Sequence, residues 1–264
     1  MRVPYETMRA EFERALLSAG FPRAKAEAIA TIFTANSCDG VYTHGLNRFP
    51  AFFQFVKDGH VKKDAECTLE FSSGALERWN GNFGPGMLNA RFCMARAMKL
   101  AQNSGIGCAA LRNTNHWMRG GTYGWQAVEG GHIGICFTNT TALMPPWGGR
   151  EPRLGNNPLV IAVPRADGHI VLDMAMSQYS MGKLSQYQSL GAKLPVPGGY
   201  DSSGQLSDNP GDIIASRRPL PIGFWKGSGL AFMLDVLTTV LSQGNSTQEI
   251  SRQSVETGVS QTFI

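Results

Sequence analysis

The sequence lacks most of the features that would assign it quickly. Charged residues make up only 17% of the 264, the formal net charge is +4, and no Lys/Arg block occurs. A nucleic-acid-binding surface is therefore not expected, and the slight positive balance suits a small anionic substrate. The five cysteines (Cys38, Cys67, Cys93, Cys108, Cys136) are odd in number, widely spaced and free of any CxxC pair. That argues against a disulfide framework or a metal site and for a reducing compartment. There is no run of 18 apolar residues, and the opening MRVPYETMRAEFERALLSAG mixes acids and bases without a long apolar core. It reads as neither a secretory leader nor a membrane span, so a soluble cytoplasmic protein with no membrane partner is expected. Missing too are GxGxxG, GxSxG, HExxH and GxxxxGKS/T, so the usual dinucleotide, hydrolase, zinc-protease and P-loop fingerprints are absent.

What is present is an ordinary globular composition, 42% hydrophobic, in a chain long enough to bury a sizeable core. The first sixty residues read as helices. Met8, Phe12 and Leu16 recur at intervals of four and Gly20 closes the pattern, which predicts a helix over residues 5–19. Pro22 suits the start of a second helix carrying Ala26, Ile29, Ile32 and Phe33, and Phe49, Phe52, Phe53 and Val56 mark a third with Pro50 in its first turn. The loop entering that third helix is DGVYTHGLN, residues 39–47.

Beyond residue 60 the pattern changes. Residues 90–103 read as a helix, IGCAAL (106–111) as a strand entering the polar loop RNTNHWMRGG, then come a short helix through Tyr123 and Trp125 and a strand IGICFTN. PLVIAVP and HIVLDM are apolar runs joined by RADG, a hairpin signature that implies a largely antiparallel sheet. Residues 194–222, rich in Pro, Gly, Ser and Asp, read as one long loop. A last helix is predicted over about 226–242 with Leu230, Met233, Leu234, Leu237 and Leu241 facing inward. The chain closes on SQTFI, an apolar, strand-like segment where a polar, frayed end is usual, which suggests an interrupted reading frame.

Two segments could carry chemistry. In YTHGLNR, His44 precedes a helix N-terminus and Arg48 falls in its first turn. A helix N-terminus and a guanidinium fork can hold a carboxylate, and an imidazole beside them can deliver a proton to a ketone oxygen. Spacing alone leaves room for a helix-capping His and a solvated Arg. In RNTNHWMRGG, Asn115, His116 and Arg119 crowd a loop after a strand; they could converge on a ligand, or the Asn side chains could bond their own backbone. Asp173 in VLDMAMS could partner a histidine or cap the next helix, and Lys226 in GFWKGSG could meet a cofactor phosphate or merely solvate a helix start.

YTHGLNRFP, ALRNTNHWMRGGTYGWQA, MPPWGGREPRLGNNPLVIAVP, VLDMAMS and FWKGSGLAFMLD together resemble the malate/lactate dehydrogenase family that lacks a Rossmann fold, nearly collinearly over residues 1–264 with one small shift near Asp167. The resemblance implies an α/β fold of the α+β kind, a largely antiparallel central sheet with surrounding helices, working as one catalytic unit: helical to about residue 60, sheet-bearing over 61–264. It implies a homodimer and NADH-dependent (rather than NADPH-dependent) reduction of a keto sugar acid, 2,3-diketo-L-gulonate, to 3-dehydro-L-gulonate. Lactate, malate or ureidoglycolate are the alternative substrates, and a catalytically silent paralogue the alternative to an enzyme. Carried over by position, His44 is the proton donor, in a relay with Thr43 and Asp173. Arg48, Asn115 and His116 belong to the substrate pocket. The run His169, Ile170, Val171, Leu172, Asp173, Met174, Ala175 and the pair Trp225–Lys226 match cofactor-binding segments. Thr43 stands where relatives usually carry Ser, and relatives continue past SQTFI with a further cofactor-contacting loop.

Overall fold

A computed structural model describes residues 2–264. Helices α1 (Tyr5–Ser18), α2 (Arg23–Cys38) and α3 (Phe49–Lys57) form the N-terminal part, and the apolar positions that predict them lie on the faces they bury, with Met8 and Phe53 only partly covered. Phe12, Leu16, Ile29, Phe33, Phe49, Phe52 and Val56 form one core, with Phe12 stacked on Phe49 at 4.2 Å and Phe33 edge-on to Phe49 at 5.2 Å. Burying each such ring contributes on the order of 2 kcal/mol before ordering entropy is subtracted. Pro22 stands at the N-cap of α2 and Pro50 in the first turn of α3, where a missing N–H leaves no helical bond unmade.

The remaining chain gives β1 (Thr68–Ser73), β2 (Leu76–Asn80), α4 (Gly86–Ser104), β3 (Cys108–Thr114), α5 (Gly121–Glu129), β4 (Gly134–Thr138), β5 (Leu159–Val163), β6 (Ile170–Met174), α6 (Met181–Ser189), β7 (Gly199–Tyr200), β8 (Leu206–Ser207), α7 (Pro210–Ser216), α8 (Trp225–Ser242), α9 (Thr247–Ser251) and β9 (Val259–Phe263). Seven strands make one sheet in the order β1-β2-β3-β9-β4-β5-β6. Every neighbouring pair is antiparallel except β2 with β3, as the hairpin signature implies.

The apolar SQTFI segment has its explanation here. β9 lies at the centre of the sheet, paired with β3 on one side and β4 on the other, and all five of its residues are buried. Phe263 joins Leu111, Cys136, Trp117 and Tyr123 in the core under α4 and α5. Phe137, one residue along β4, faces the opposite side and packs with Met144, Met176, Ala231 and Leu234 against α8. That alternation is the period of two expected of a sheet covered on both faces.

Three expectations are corrected. Residues 194–222 are not one loop: they hold the small β7–β8 hairpin and α7, which packs Ile213 against Leu184 and Leu194. In α8 the inward residues are Gly227, Ala231, Leu234, Thr238 and Ser242, whereas Leu230, Met233 and Leu237 are exposed. The helix is apolar nearly all round, so periodicity could not tell which stripe faces the sheet; the small residues do, because they allow close approach. Arg48 is the N-cap of α3 rather than part of its first turn.

Candidate active site

His44 ends a 3₁₀ turn (Tyr42–His44) between α2 and α3. The C-terminal end of α2 fixes this loop: the Asn36 side-chain amide donates to the His44 carbonyl at 3.0 Å, and the Leu46 N–H donates to Ser37 Oγ at 2.9 Å. Gly45 is required by that contact, since a Cβ there would lie 2.3 Å from Ser37 Oγ and 2.8 Å from its backbone nitrogen. Thr43 Oγ1 lies 3.1 Å from His44 Nδ1. Arg48 follows at the head of α3, and among the described residues its guanidinium is engaged in no ion pair.

The second wall comes from the end of β3. Trp117 belongs to the core under α4 and α5, while Met118 belongs to the N-terminal helical core. Adjacent side chains thus anchor in two cores, and His116 is held at the seam between them. Its ring lies 5.7 Å from that of His44, nearly parallel. The Met118 N–H donates to His116 Nδ1 at 3.0 Å, so a neutral ring carries its proton on Nε2. Burial, then Arg48 and His44, hold the His116 pKa well below the usual imidazole value. His44 is lowered to about 4 by burial, then by Arg48 and Arg119.

Both histidines border a cavity of about 390 Å³, together with Thr43, Asn156, Asp173, Ala175 and Glu256. An adjoining cavity of about 330 Å³ adds Arg48. Such volumes suit a small ligand. The sequence therefore pointed at residues from distant segments that the fold does bring together: Thr43, His44, Arg48, His116, Asp173 and Ala175.

Others are placed differently. The Asn115 amide donates to three backbone carbonyls, those of His60, Phe83 and Gly84. It braces the loop beneath a smaller cavity that Arg48 and His116 also line. Asp173 does not touch His44: its Oδ2 accepts the Gly121 N–H at the start of α5, at 2.7 Å. A Cβ on Gly121 would sit 2.8 Å from that oxygen. The protein crowded around Asp173 raises its carboxyl pKa, against the Gly121 N–H and Arg119, although the residue still opens onto the cavity. The expected Thr43–His44–Asp173 relay is thus broken at its second link, because the acid is held by a helix N-terminus.

His169 to Ala175 follow β6, the edge strand, with Ile170 and Leu172 exposed. Trp225 and Lys226 open α8 and border none of these cavities, and Trp225 is 66% exposed. The two segments are neighbours nonetheless, since Ser177 pairs with Pro221 and the Ile222 N–H donates to the Met176 carbonyl at 2.8 Å.

Glu256 was not found by sequence reasoning. It is an ordinary acid between α9 and β9, and nothing local distinguishes it. Only the insertion of β9 between β3 and β4 carries it to His44 and Arg48.

Residues 3–264 match the family described as malate/L-lactate dehydrogenase. A 2,3-diketo-L-gulonate reductase from Shigella boydii is 48% identical over 265 residues, covering 100% of this chain and 80% of that protein. Among solved structures, malate dehydrogenase from Pyrococcus horikoshii superposes with TM-score 0.89 at 28% identity, covering 100% of this chain and 74% of that one. Sulfolactate dehydrogenase from Methanocaldococcus jannaschii gives 0.88 at 28%, covering 100% and 77%. The chain belongs to the malate/L-lactate dehydrogenase family of oxidoreductases.

Proposed function

We propose that this protein reduces 2,3-diketo-L-gulonate to 3-dehydro-L-gulonate with NADH, using His44 as proton donor. The observation that carries the reading is a stacked His44–His116 pair beside an unpaired Arg48 at one connected cavity. The name and 48% identity of the Shigella boydii relative support the substrate.

Arg48 offers the substrate carboxylate a planar fork, which fixes the orientation of the keto acid. His116, with its proton on Nε2, donates a hydrogen bond to the ketone oxygen without losing it. His44 in its charged form gives that oxygen a proton as negative charge develops there. Thr43 Oγ1 holds His44 Nδ1 and leaves Nε2 for the substrate. Burial of the ring first, and then the positive charge of Arg48 and Arg119, disfavour protonation of His44 in the free protein. A carboxylate seated on Arg48 cancels part of that repulsion, so substrate and proton are taken up together.

A nicotinamide cofactor supplies the hydride when bound. The His169–Ala175 strand and the Trp225–Lys226 pair are the residues that would hold it. Ser177 Oγ, buried and without a hydrogen-bond partner among the described residues, lies at the joint between them. The open faces of Ile170, Leu172 and Trp225 offer apolar area for rings, and Lys226 offers a cation for phosphate. Residues 1–264 act as one catalytic unit in this reading, because the helical part supplies His44 and Arg48 while the sheet supplies His116 and Asp173. A cytoplasmic homodimer is part of the same proposal; no helix among the described residues is long and apolar enough to cross a membrane, and the exposed apolar stripe of α8 is a surface a second copy could cover.

The test is the loss of NADH absorbance with 2,3-diketo-L-gulonate, lactate-type and malate-type keto acids, each repeated with NADPH. Turnover greatest with the diketo acid and NADH is expected. Turnover only with another acid, or none, removes the substrate assignment.

A further inference from the structure

Glu256 has no role in the chemistry described above, yet it borders all three cavities at the site. One of them is shared with Asp173 and both histidines, and two are shared with Arg48. Its Oε2 accepts the Thr141 N–H at 3.0 Å. Its Oε1 has no protein hydrogen-bond partner among the described residues and is not sealed from solvent. Burial raises the Glu256 carboxyl pKa, and the Thr141 N–H and then the nearby Arg48 act against that to favour the charged form; Glu256 and Arg48 form no ion pair among the described residues. The site therefore presents a cationic fork and a carboxylate with one free oxygen, with two imidazoles beside them.

We infer that Glu256 selects the substrate, its free Oε1 accepting hydrogen bonds from hydroxyl groups on the tail of a polyhydroxylated 2-keto acid. A molecule with its carboxylate on Arg48 and its ketone at the His44–His116 pair has its remaining carbons within the space that Glu256 borders. Like charge keeps the substrate carboxylate off Glu256, which fixes the direction of binding. A carboxylate oxygen only accepts, so it rewards tails that carry O–H donors and leaves an apolar tail facing a desolvated charge. Asp173 is not placed for this role, because it borders neither cavity that contains Arg48. Thr43, Thr140, Asn156 and Ser180 supply further hydroxyl and amide groups around the same space.

This inference rests on the proposed keto-acid reading, and binding can be separated from turnover. 2,3-Diketo-L-gulonate and 2-oxohexanoate, which has six carbons and no hydroxyls, are titrated by calorimetry into the NAD⁺-loaded protein, which has no hydride to give. The wild type should prefer the hydroxylated acid. Glu256→Gln must use its one oxygen for the Thr141 N–H, so it turns an NH₂ donor toward the cavity. Affinity for the diketo acid should then fall about 10–100-fold, the range for losing a hydrogen bond to a charged group. Affinity for 2-oxohexanoate should stay unchanged or rise. Glu256→Asp keeps the charge but withdraws the oxygen, and should lose the preference in part; it carries the comparison if thermal melting shows the Gln variant to be unfolded. Equal losses for both acids, no loss for either, or no preference in the wild type would overturn the assignment. A preference that depends on Glu256, in a protein that then fails to oxidise NADH with either acid, would uphold it and sink the reductase reading instead.

Discussion

The two walls of the site are built on opposite terms. The wall to which the proposed reading assigns proton transfer, His44 to Arg48 with His116, is pinned from both sides: Asn36 and Ser37 hold one loop, and Trp117 and Met118 anchor the other in separate cores. The wall to which the proposed reading assigns the cofactor, β6 and the start of α8, is an edge strand and a helix whose apolar side chains stand open, Leu172 and Trp225 among them. On the proposed reading, geometry is thus fixed in advance where a proton must move over a short distance. On the same reading, area is left exposed where a large cofactor would dock. Substitutions on the first wall should therefore damage the reaction, and those on the second should damage binding alone.

The largest expected effect is at His44. His44→Asn can donate a hydrogen bond but not a proton, so kcat for reduction should fall by about 10²–10⁴ while NADH affinity by fluorescence titration hardly changes. A near-normal kcat would move the donor role to His116 and dissolve the contrast between the walls.

Arg48→Lys comes next. Lysine keeps the charge but not the fork that meets a carboxylate with two parallel bonds. We expect kcat/KM for keto acids to drop about tenfold or more, with a much smaller drop for the uncharged lactone. Equal losses on acid and lactone would show that Arg48 does something other than hold the carboxylate.

The pH dependence sharpens the comparison further. In the free protein His44 is lowered to about 4 and His116 is lowered as well, whereas both would titrate near 6.5 in the unfolded chain. The unfolded state therefore binds more protons below pH 6.5, so stability should fall as pH drops from about 6.5 toward 4, by up to about 1.4 kcal/mol per pH unit for each histidine. Melting temperatures across that window should show the fall, and His116→Gln should reduce it. For activity, kcat/KM for reduction should decline as pH rises from the acid side, and the limb in kcat should lie at higher pH, because a carboxylate on Arg48 raises the His44 pKa. Coincident limbs would mean that substrate and proton are not taken up together.

The smallest effect is expected at Trp225. Trp225→Ala should weaken NADH binding severalfold, with kcat at saturating NADH and the melting temperature unchanged, since the side chain is 66% exposed. A lower melting temperature would show that this wall is structural after all.

Local pattern determined a good deal. The three N-terminal helices, the β5–β6 hairpin and the strand nature of SQTFI follow from periods of four and two and from turn residues. His44, Arg48 and His116 stood out as polar groups at a helix start and after a strand, and whole segments carried the family resemblance. Sequence did not determine which stripe of α8 is inward, because its apolar residues are spread over most of its circumference and its buried face includes Thr238 and Ser242, so only the partner surface picks the face. It did not show that Asp173 would bond Gly121 rather than His44, because both are within reach of the same cavity and only backbone placement chose between them. Nor did it reveal Glu256, whose importance depends on β9 inserting between β3 and β4. Spacing along a chain encodes local geometry through the backbone's fixed repeats, whereas meetings between distant segments depend on how strands are ordered in the sheet, and no local repeat records that order.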